Sequence, residues 1–396
     1  MIRRPPRSTL SPSSAASDVY KRQFKDRSDF INYSLQETLK KYLSQLHGGK
    51  VEILCVGELG KPVEEDKCLD LKGFGYGKPL FIDYEVEGER RNAVLQTMKP
   101  DSFGHENPSD RAQNLILAYQ TYGKLPRHVK ALDLGVFTKK GEMVSLGNFE
   151  EFFLLVEKAE GKEYFWDLNR VAERGSLTSL DLERCKALAS YAAEIHKVKF
   201  NAPNLYRRRI RELIGHGECI MGLIDNYPEK VDFADWEEFK RLEKLCVEWR
   251  WKLRGKEHRL SQVHGDFHPW NILFREGLDF TVLDRSRGEW GEPGDDVSCM
   301  SINYIFYSLQ TAGGWSEPFS RLFETFMETY ISLSGDEEIL EVLQPFYAWR
   351  ALVLASPIWY PTLPAEVRRT ILNFALNVLE TEKFDWKNVG QYLRSR

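Results

Sequence analysis

The sequence predicts an α+β fold with a strand-rich N-terminal part and a helical C-terminal part. Between residues 30 and 156, short runs of β-branched and aliphatic residues alternate with glycine and charged turns, as in antiparallel strands. After residue 161, apolar residues recur at helical spacing over long segments. Two short strands near residues 262–286 interrupt these helices. We therefore expect a strand-rich domain over 24–157 and a helical domain over 158–396.

The individual elements follow from the same patterns. In the first domain we predict strands at 51–59, 80–86 and 91–98, with a hairpin turn at 87–90. A helix over 110–122 follows, and then two further strands within 129–137 and 152–156. In the second domain, periodic apolar residues predict six long helices, over 180–199, 206–225, 236–254, 317–333, 337–354 and 365–381.

The first 23 residues do not contribute to this fold. They are rich in Arg, Pro and Ser and nearly free of aliphatic side chains, so they cannot bury an apolar face. Their Arg and Ser content resembles that of an organellar transit peptide, but three prolines interrupt any amphipathic helix. We interpret residues 1–23 as a disordered tail or as artefactual sequence.

Charge and cysteine content exclude several functional classes. The chain has 55 basic and 59 acidic residues and a net charge of −4, without the basic surplus that nucleic-acid binding needs. The longest apolar run, over 152–156, is too short to span a membrane. Six scattered cysteines contain no C-x-x-C pair, which is typical of a protein in a reducing compartment. We therefore expect a cytoplasmic protein that contacts neither nucleic acid nor membrane.

The strongest chemical signal is the segment HGDFHPWNILF, which begins at His264, together with TVLDRS around Asp284. Phosphoryl transfer from ATP needs a carboxylate beside the attacking hydroxyl, and further oxygen ligands that hold Mg²⁺ on the phosphates. Asp266 supplies the first group, and Asn271 and Asp284 supply the second. This spacing predicts a phosphotransferase that uses ATP and Mg²⁺.

The same motif resembles the aminoglycoside phosphotransferase and choline kinase family. That resemblance implies a bilobal protein-kinase-like fold. Its N-terminal lobe would hold an antiparallel sheet with one main helix, and its C-terminal helical lobe an embedded β-hairpin. The segment GEPGDDVS resembles a second family motif, in which Asp296 would anchor the catalytic loop. His264, His268 and His196, the last in LASYAAEIH, would be structural supports.

The nucleotide-binding residues follow less directly. Gly73, Gly75 and Gly77 lie between candidate strands, and the resemblance implies a glycine loop over ATP. A plain hairpin turn with the same glycines is the alternative. The segment FFLLVEKAEG resembles a lobe hinge, in which the backbone of Glu157 and Ala159 would bind adenine; an ordinary linker makes the same sequence prediction.

The sequence departs from the family at the nucleotide lysine. The third strand should carry a lysine against the α- and β-phosphates, yet it offers Gln96 and, before a proline, Lys99. On a regular strand these two side chains point to opposite faces. We favour Lys99, with Glu106 or Asp110 as the acidic partner on the following helix.

The acceptor site is predicted from two features. Five carboxylates close to the metal site favour a cationic acceptor; they are Asp284, Glu289, Glu292, Asp295 and Asp296. Four aromatic residues of the final helices would form a box for a quaternary amine or, alternatively, belong to the core; they are Trp315, Trp349, Trp359 and Tyr360.

We thus predict a kinase that transfers the γ-phosphoryl group of ATP to a hydroxyl of a small molecule, such as an amino sugar, amino alcohol or sugar. One alternative is a kinase-like protein that binds nucleotide without turnover, because the lysine is displaced. Another is a metal-dependent phosphoesterase. If the stretch were extended, His264, Asp266 and His268 would share one face with ligand-like spacing. The sequence does not encode the oligomeric state.

Overall fold

The computed structural model describes residues 35–58, 79–101, 103–124, 126–285 and 287–395. Contacts divide the chain into two compact units, which separate between Val156 and Glu157. The α+β class, the antiparallel sheet and the embedded hairpin are confirmed. None of the helices in the described ranges combines the length and apolar character that crossing a membrane requires.

The first unit is built on a three-stranded antiparallel sheet. Its strands are β1 (Val51–Glu58), β2 (Leu80–Val86) and β3 (Glu89–Leu95), with β2 in the centre. The β2–β3 hairpin turns through Glu87 and Gly88, which both have positive φ. Such a two-residue turn matches the twist of the strands. It is shorter than the predicted turn, which covered residues 87–90.

Two helices and a small hairpin complete this unit. Helix α1 (Leu35–His47) packs Leu39 and Leu43 on the sheet, and α2 (Pro108–Thr121) follows the sheet along the chain. Strands β4 (Gly135–Phe137) and β5 (Met143–Ser145) form the hairpin. Helix α1 is an element that the sequence analysis did not predict. The apolar spacing of Leu35, Leu39 and Leu43 already contained the signal for α1.

Two predictions for this unit are wrong: the strand over 152–156 and the extent of the third strand, predicted over 91–98. The apolar run 152–156 forms no strand, and its side chains are half to almost fully exposed, with Phe153 at 92%. An apolar run becomes a strand only when another strand pairs with it, and no described strand does so. Strand β3 also ends at Leu95, so Gln96 and Lys99 both lie beyond it, and regular alternation of faces does not apply to them.

The second unit begins with β6 (Lys162–Glu163), α3 (Tyr164–Arg174) and α4 (Ser179–His196). The predicted helix over 206–225 is two helices, α5 (Pro203–Gly215) and α6 (Ile220–Asp225). Helix α7 (Trp236–Leu253) precedes four short strands: β7 (Ser261–Gln262), β8 (Ile272–Phe274), β9 (Phe280–Val282) and β10 (Trp290–Gly291). Strand β8 pairs with β6 and β9, and β7 pairs with β10.

Four helices follow and form most of the core. They are α8 (Gly294–Ala312), α9 (Phe319–Ser334), α10 (Leu343–Ala355) and α11 (Ala365–Leu379). Helices α8 and α10 are buried on almost every side, which explains why α8 lacks the amphipathic pattern that would have predicted it. The predicted helix over 337–354 starts later, at Leu343, after a short 3₁₀ turn.

A buried ion-pair network stabilises this unit. Arg259 is 3% exposed and donates to Glu292, which is 1% exposed. It also contacts Asp336 and Glu338, and the Tyr206 hydroxyl donates to Glu292. Each group in this network would be costly to leave without a partner, because a buried charge has lost its hydration.

We expect Arg259→Ala to destabilise the protein by about 3–5 kcal/mol, because Glu292 would stay buried without its cation. Arg321→Ala is the matched control, since Arg321 forms a solvent-exposed pair with Glu324 and such pairs contribute less than about 1 kcal/mol. Urea unfolding measures both. Equal losses of unfolding free energy would contradict the importance of the buried network.

Candidate active site

The loop over residues 263–271 forms the candidate site, and its two ends are fixed by short strands. Strand β7 leads into it and pairs with β10, while β8 leaves it and pairs with β9. The loop backbone is also closed internally, because the His268 amide donates to the Asp266 carbonyl and the Asn271 amide to the His268 carbonyl. This arrangement holds the polar side chains of the loop on a rigid support.

Asp296, in the first turn of α8, anchors the loop. Its buried carboxylate accepts the amides of His264 and Gly265, both at 2.7 Å. His196, at the end of α4, contacts the same carboxylate at 3.0 Å. Burial raises the pKa of Asp296, but the hydrogen bond and charge of His196 outweigh it and lower the pKa below its usual value. Asp296 therefore stays ionised at this position.

Gly265 makes the sharp turn before Asp266. Its φ is +88°, and a Cβ on it would lie 3.1 Å from the Cβ of Arg287. Both observations favour glycine, because other residues rarely adopt this conformation. The turn breaks the extended geometry that would place His264, Asp266 and His268 on one face, so the premise of the phosphoesterase alternative is not met.

Asp266 is the central carboxylate of the loop, with a side chain that is 19% exposed. Arg350 donates to its Oδ1 at 2.7 Å, and the Nε2 of His268 lies 3.3 Å from its Oδ2. Asn271 donates to the Asp266 carbonyl at 3.0 Å. Burial alone raises the pKa of Asp266, but His268 and Arg350 together lower it well below its usual range. The carboxylate is therefore ionised at neutral pH.

Arg350, on α10, is the partner that the sequence analysis missed. Its side chain is 8% exposed and bridges Asp266 and Asp295, the latter at 2.6 Å. A third hydrogen bond goes to the carbonyl of Gly265, and the guanidinium lies 3.8 Å from the ring centre of Trp349. The sequence did contain a signal for this role: Arg350 is the one charged residue of a strongly apolar helix. A buried arginine almost always has a partner, so its position in such a helix indicates one.

The two histidines of the motif support the loop in different ways. The Nδ1 of the buried His264 accepts the Asp266 amide at 3.2 Å, so its proton lies on Nε2 in the neutral ring. Burial lowers the pKa of His264 and favours that neutral form. The Nδ1 of His268 accepts the Trp270 amide, which leaves its Nε2 to face Asp266.

Asn271 and Asp284 meet through the β8–β9 hairpin. The Leu283 amide donates to the Asn271 carbonyl at 2.8 Å, next to the paired residues Ile272 and Val282. Asp284 then turns outward with a φ of +55°, a conformation that Asp tolerates better than most residues. Its carboxylate is exposed and forms no hydrogen bond or ion pair with any described residue. The backbone bond between Leu283 and Asn271 thus brings the chain at Asp284 next to Asn271.

These oxygen donors fit a hard divalent cation. Magnesium is usually bound by one or two protein groups together with substrate phosphates and water, so a complete protein cage is not required. In keeping with this, no cluster of three or more His, Cys, Asp or Glu side chains in the described part of the chain is arranged to hold a metal ion.

The predicted nucleotide-binding residues lie partly outside the described residues and otherwise in both units. Gly73, Gly75 and Gly77 lie outside the described residues. Lys99 is exposed and forms no ion pair with a described residue, and Asp110 caps α2 by accepting the Asn107 amide at 2.7 Å. Glu157 and Ala159 lie in irregular backbone just after the division between the two units.

Three of the five carboxylates of the acidic segment have partners in the structure. Glu292 is paired with Arg259, Asp295 with Arg350, and Asp296 with backbone amides and His196. Tertiary structure thus brings arginines from distant segments to two of these carboxylates, whereas Asp284 and Glu289 are exposed. A net charge counted along the sequence does not include such partners.

The four aromatic residues do not form a box, since no two of their rings are in contact. Trp315 packs on Phe323, and Tyr360 packs on Phe306. The Trp349 ring is 1% exposed and faces two arginines, and Trp359 is 65% exposed. The alternative that these aromatics mainly serve the core therefore applies to Trp315 and Tyr360.

Residues 153–329 match the model of the phosphotransferase enzyme family, which confirms over this segment the resemblance seen in the motifs. No curated protein matches the sequence. Among solved structures, amicoumacin kinase in complex with AMP-PNP, Ca²⁺ and Ami is similar with 14% identity and a TM-score of 0.38, covering 95% of this chain and 99% of that one.

Two other kinases show comparable likeness. Choline kinase LicA from Streptococcus pneumoniae has 14% identity and a TM-score of 0.32, over 88% of this chain and 99% of that one. An ethanolamine kinase from Plasmodium vivax has 14% identity and a TM-score of 0.33, over 98% and 94%. With TM-scores this low, these likenesses support no functional assignment on their own.

We expect Arg350→Met to destabilise the protein by about 3–5 kcal/mol at pH 7, because Asp266 and Asp295 would lose their shared cation. In the wild type, the lowered pKa of Asp266 provides stability above the unfolded-state pKa of about 3.9, which is lost as the pH falls through the folded-state pKa. In the variant, the folded-state pKa of Asp266, of Asp295 or of both rises. The variant therefore loses stability as the pH rises, because a carboxylate without its cation must then ionise in a buried position.

The deficit of the variant should therefore be largest at neutral pH and shrink towards about pH 4. Urea unfolding at several pH values measures it, and Asp295→Asn in the variant background should recover part of the loss. A deficit that does not change with pH would contradict the role of Arg350 as a counterion.

Proposed function

We propose that this protein transfers the γ-phosphoryl group of ATP to a hydroxyl group of a small molecule. The observation that supports the proposal is that the ionised Asp266 lies on a loop whose backbone is anchored by Asp296, and that the Leu283 amide, next to Asp284, donates to the carbonyl of Asn271. The family match over residues 153–329 supports the same reaction class. Phosphoryl transfer depends mainly on such positioning and on charge stabilisation.

Asp266 would orient the acceptor hydroxyl. A carboxylate with a lowered pKa is a weak base, so we assign its main contribution to orientation and to accepting the proton as the acceptor oxygen begins to react. Arg350 occupies Oδ1 at 2.7 Å and thereby fixes the rotation of the carboxylate. His268 Nε2 and Asn271 Nδ2 both lie 3.3 Å from Oδ2, and we assign this oxygen to the acceptor hydroxyl.

Asn271 and Asp284 would hold Mg²⁺, which bridges phosphate oxygens and offsets the charge that develops during transfer. Asn271 already donates its Nδ2 to the Asp266 carbonyl, and this bond directs its Oδ1 away from the loop. Asp284 is held in place by its neighbour Leu283. The glycine loop at 73–77, Lys99, Glu157 and Ala159 complete the proposed nucleotide site.

The second candidate is nucleotide binding without turnover. The exposure of both Gln96 and Lys99, and the absence of an ion pair from Lys99 to any described residue, favour it. The two candidates differ in whether ADP is released when a hydroxyl acceptor is added. A coupled ADP-release assay with amines, sugars, amino alcohols and hydroxy acids distinguishes them.

We expect Asp284→Ala to weaken Mg²⁺-dependent ATP binding by about tenfold or more, because it removes a charged metal ligand. Asp266→Asn should leave ATP affinity nearly unchanged but reduce turnover by about 10²–10⁴-fold. Calorimetry with Mg·AMP-PNP and the ADP-release assay measure the two effects. Equal losses of nucleotide affinity in both variants would contradict the assigned roles.

The nucleotide cation gives a separate prediction. We expect Lys99→Ala to weaken Mg·ATP binding by about tenfold, the equivalent of one charge-assisted hydrogen bond. Gln96→Ala, three residues away, is the control and should have little effect. If instead Gln96→Lys strengthens binding and Lys99→Ala is silent, then position 96 faces the phosphates and the wild-type protein lacks this cation.

A further inference from the structure

The positively charged residue Arg287 lies beside the candidate site, and the proposed function assigns no role to it. It follows Asp284 in the loop between β9 and β10, and its side chain is only 25% exposed. Its Cβ lies 3.1 Å from the position that a Cβ on Gly265 would take, so its backbone packs directly behind the turn that leads to Asp266.

The guanidinium of Arg287 has few partners. Its Nη1 lies 3.5 Å from the sulfur of Cys219, which is a weak acceptor, and its Nε is buried without a hydrogen bond to any described residue. The nearest carboxylate oxygen in an ion pair belongs to Glu218, at 3.8 Å on a side chain that is 73% exposed. The donors that remain unused can bind water or an acceptor from outside the chain.

Arg287 and Arg350 lie on the same aromatic ring. Their Cζ atoms are 4.3 Å and 3.8 Å from the ring centre of Trp349, which places them within about 8 Å of each other. Arg350 in turn contacts Asp266 at 2.7 Å. Arg287 is therefore connected to Asp266 through the Trp349 ring and Arg350.

The two arginines differ in how many of their hydrogen-bond donors remain unused. Arg350 already donates to Asp266, to Asp295 and to the carbonyl of Gly265. Arg287 donates to no carboxylate or carbonyl at hydrogen-bond distance among the described residues, and its neighbours Cys219 and Trp349 come from the α5–α6 connection and from α10. It thus faces these two segments.

We propose that the acceptor carries an oxyanion, either a carboxylate or a phosphate, and that Arg287 binds it. A planar guanidinium with free donors matches both anions geometrically. Three of the five carboxylates near the site, Glu292, Asp295 and Asp296, are already paired with Arg259, Arg350 and His196. A cationic amine next to Arg287 would be repelled by its guanidinium, whose carboxylate partner in Glu218 is 3.8 Å away and exposed. This inference rests on the proposed phosphotransfer function and specifies its substrate class.

Matched acceptors test the proposal in the ADP-release assay with the full chain and Mg·ATP. Gluconate and glycerol phosphate provide the two anions; glucose and glycerol are their neutral counterparts, and glucosamine and choline are cationic. We expect turnover with at least one anionic member and at least tenfold lower kcat/KM with its neutral counterpart. Turnover confined to neutral or cationic members, or none with the anionic ones, overturns the inference.

Variants at Arg287 locate the anion. Arg287→Ala should raise KM for the anionic acceptor at least tenfold and leave the KM for ATP within about twofold. Arg287→Lys should recover part of the loss, and Glu218→Gln should leave KM unchanged or lower it, because it removes the competing carboxylate. If Arg287→Ala instead raises the KM for ATP, Arg287 belongs to the nucleotide site and the acceptor proposal is wrong.

Nucleotide binding separates this inference from the proposed function. Calorimetry with Mg·AMP-PNP requires no acceptor, so a protein that binds it but turns over only neutral or cationic acceptors keeps the function and loses the inference. A protein that binds no nucleotide loses both. Circular dichroism of the Arg287 variants should match the wild type, and Arg287→Lys keeps the test decisive if the alanine variant unfolds.

Discussion

The candidate site depends on one buried carboxylate, that of Asp296. It accepts two backbone amides from the H-G-D loop and a third contact from His196. Hydrogen bonds to a charged group contribute about 1.5–3 kcal/mol each, so together they offset the burial of the charge and fix the loop. The backbone turn at Gly265, the direction of Asp266 and the position of Asn271 all follow from this anchor.

Arginines from distant segments supply the second constraint. Arg259 and Arg350 neutralise Glu292 and Asp295, two carboxylates of a segment that looks strongly acidic in the sequence. Because both arginines are almost completely buried, they also connect the loop to the 3₁₀ turn before β7 and to α10. Arg287 differs from both, since it approaches the site without a close carboxylate partner. In our proposal this guanidinium, whose carboxylate partner in Glu218 is 3.8 Å away, sets the charge that an acceptor meets.

Sequence patterns predicted the amphipathic elements better than the buried or exposed ones. Helices α4 and α7 lie close to their predicted ranges, because one apolar face leaves a clear period. Helix α8 was missed because it is buried on nearly all sides, and the run 152–156 was misread because an apolar composition does not ensure a pairing partner. The end of β3 at Leu95 likewise depended on pairing with β2, which the alternation of residues does not specify.

The sequence by itself determined which groups take part in the candidate chemistry. An Asp and an Asn five residues apart, with a second Asp at the end of the next strand, resemble the catalytic loop and metal-binding Asp of protein kinases, and such an order is a local property of the chain. Only the tertiary structure decided the electrostatics of that loop. Arg350 lies 84 residues from Asp266 along the chain, yet it donates to that carboxylate at 2.7 Å. Pairings over such distances arise from helix packing, which no local pattern records.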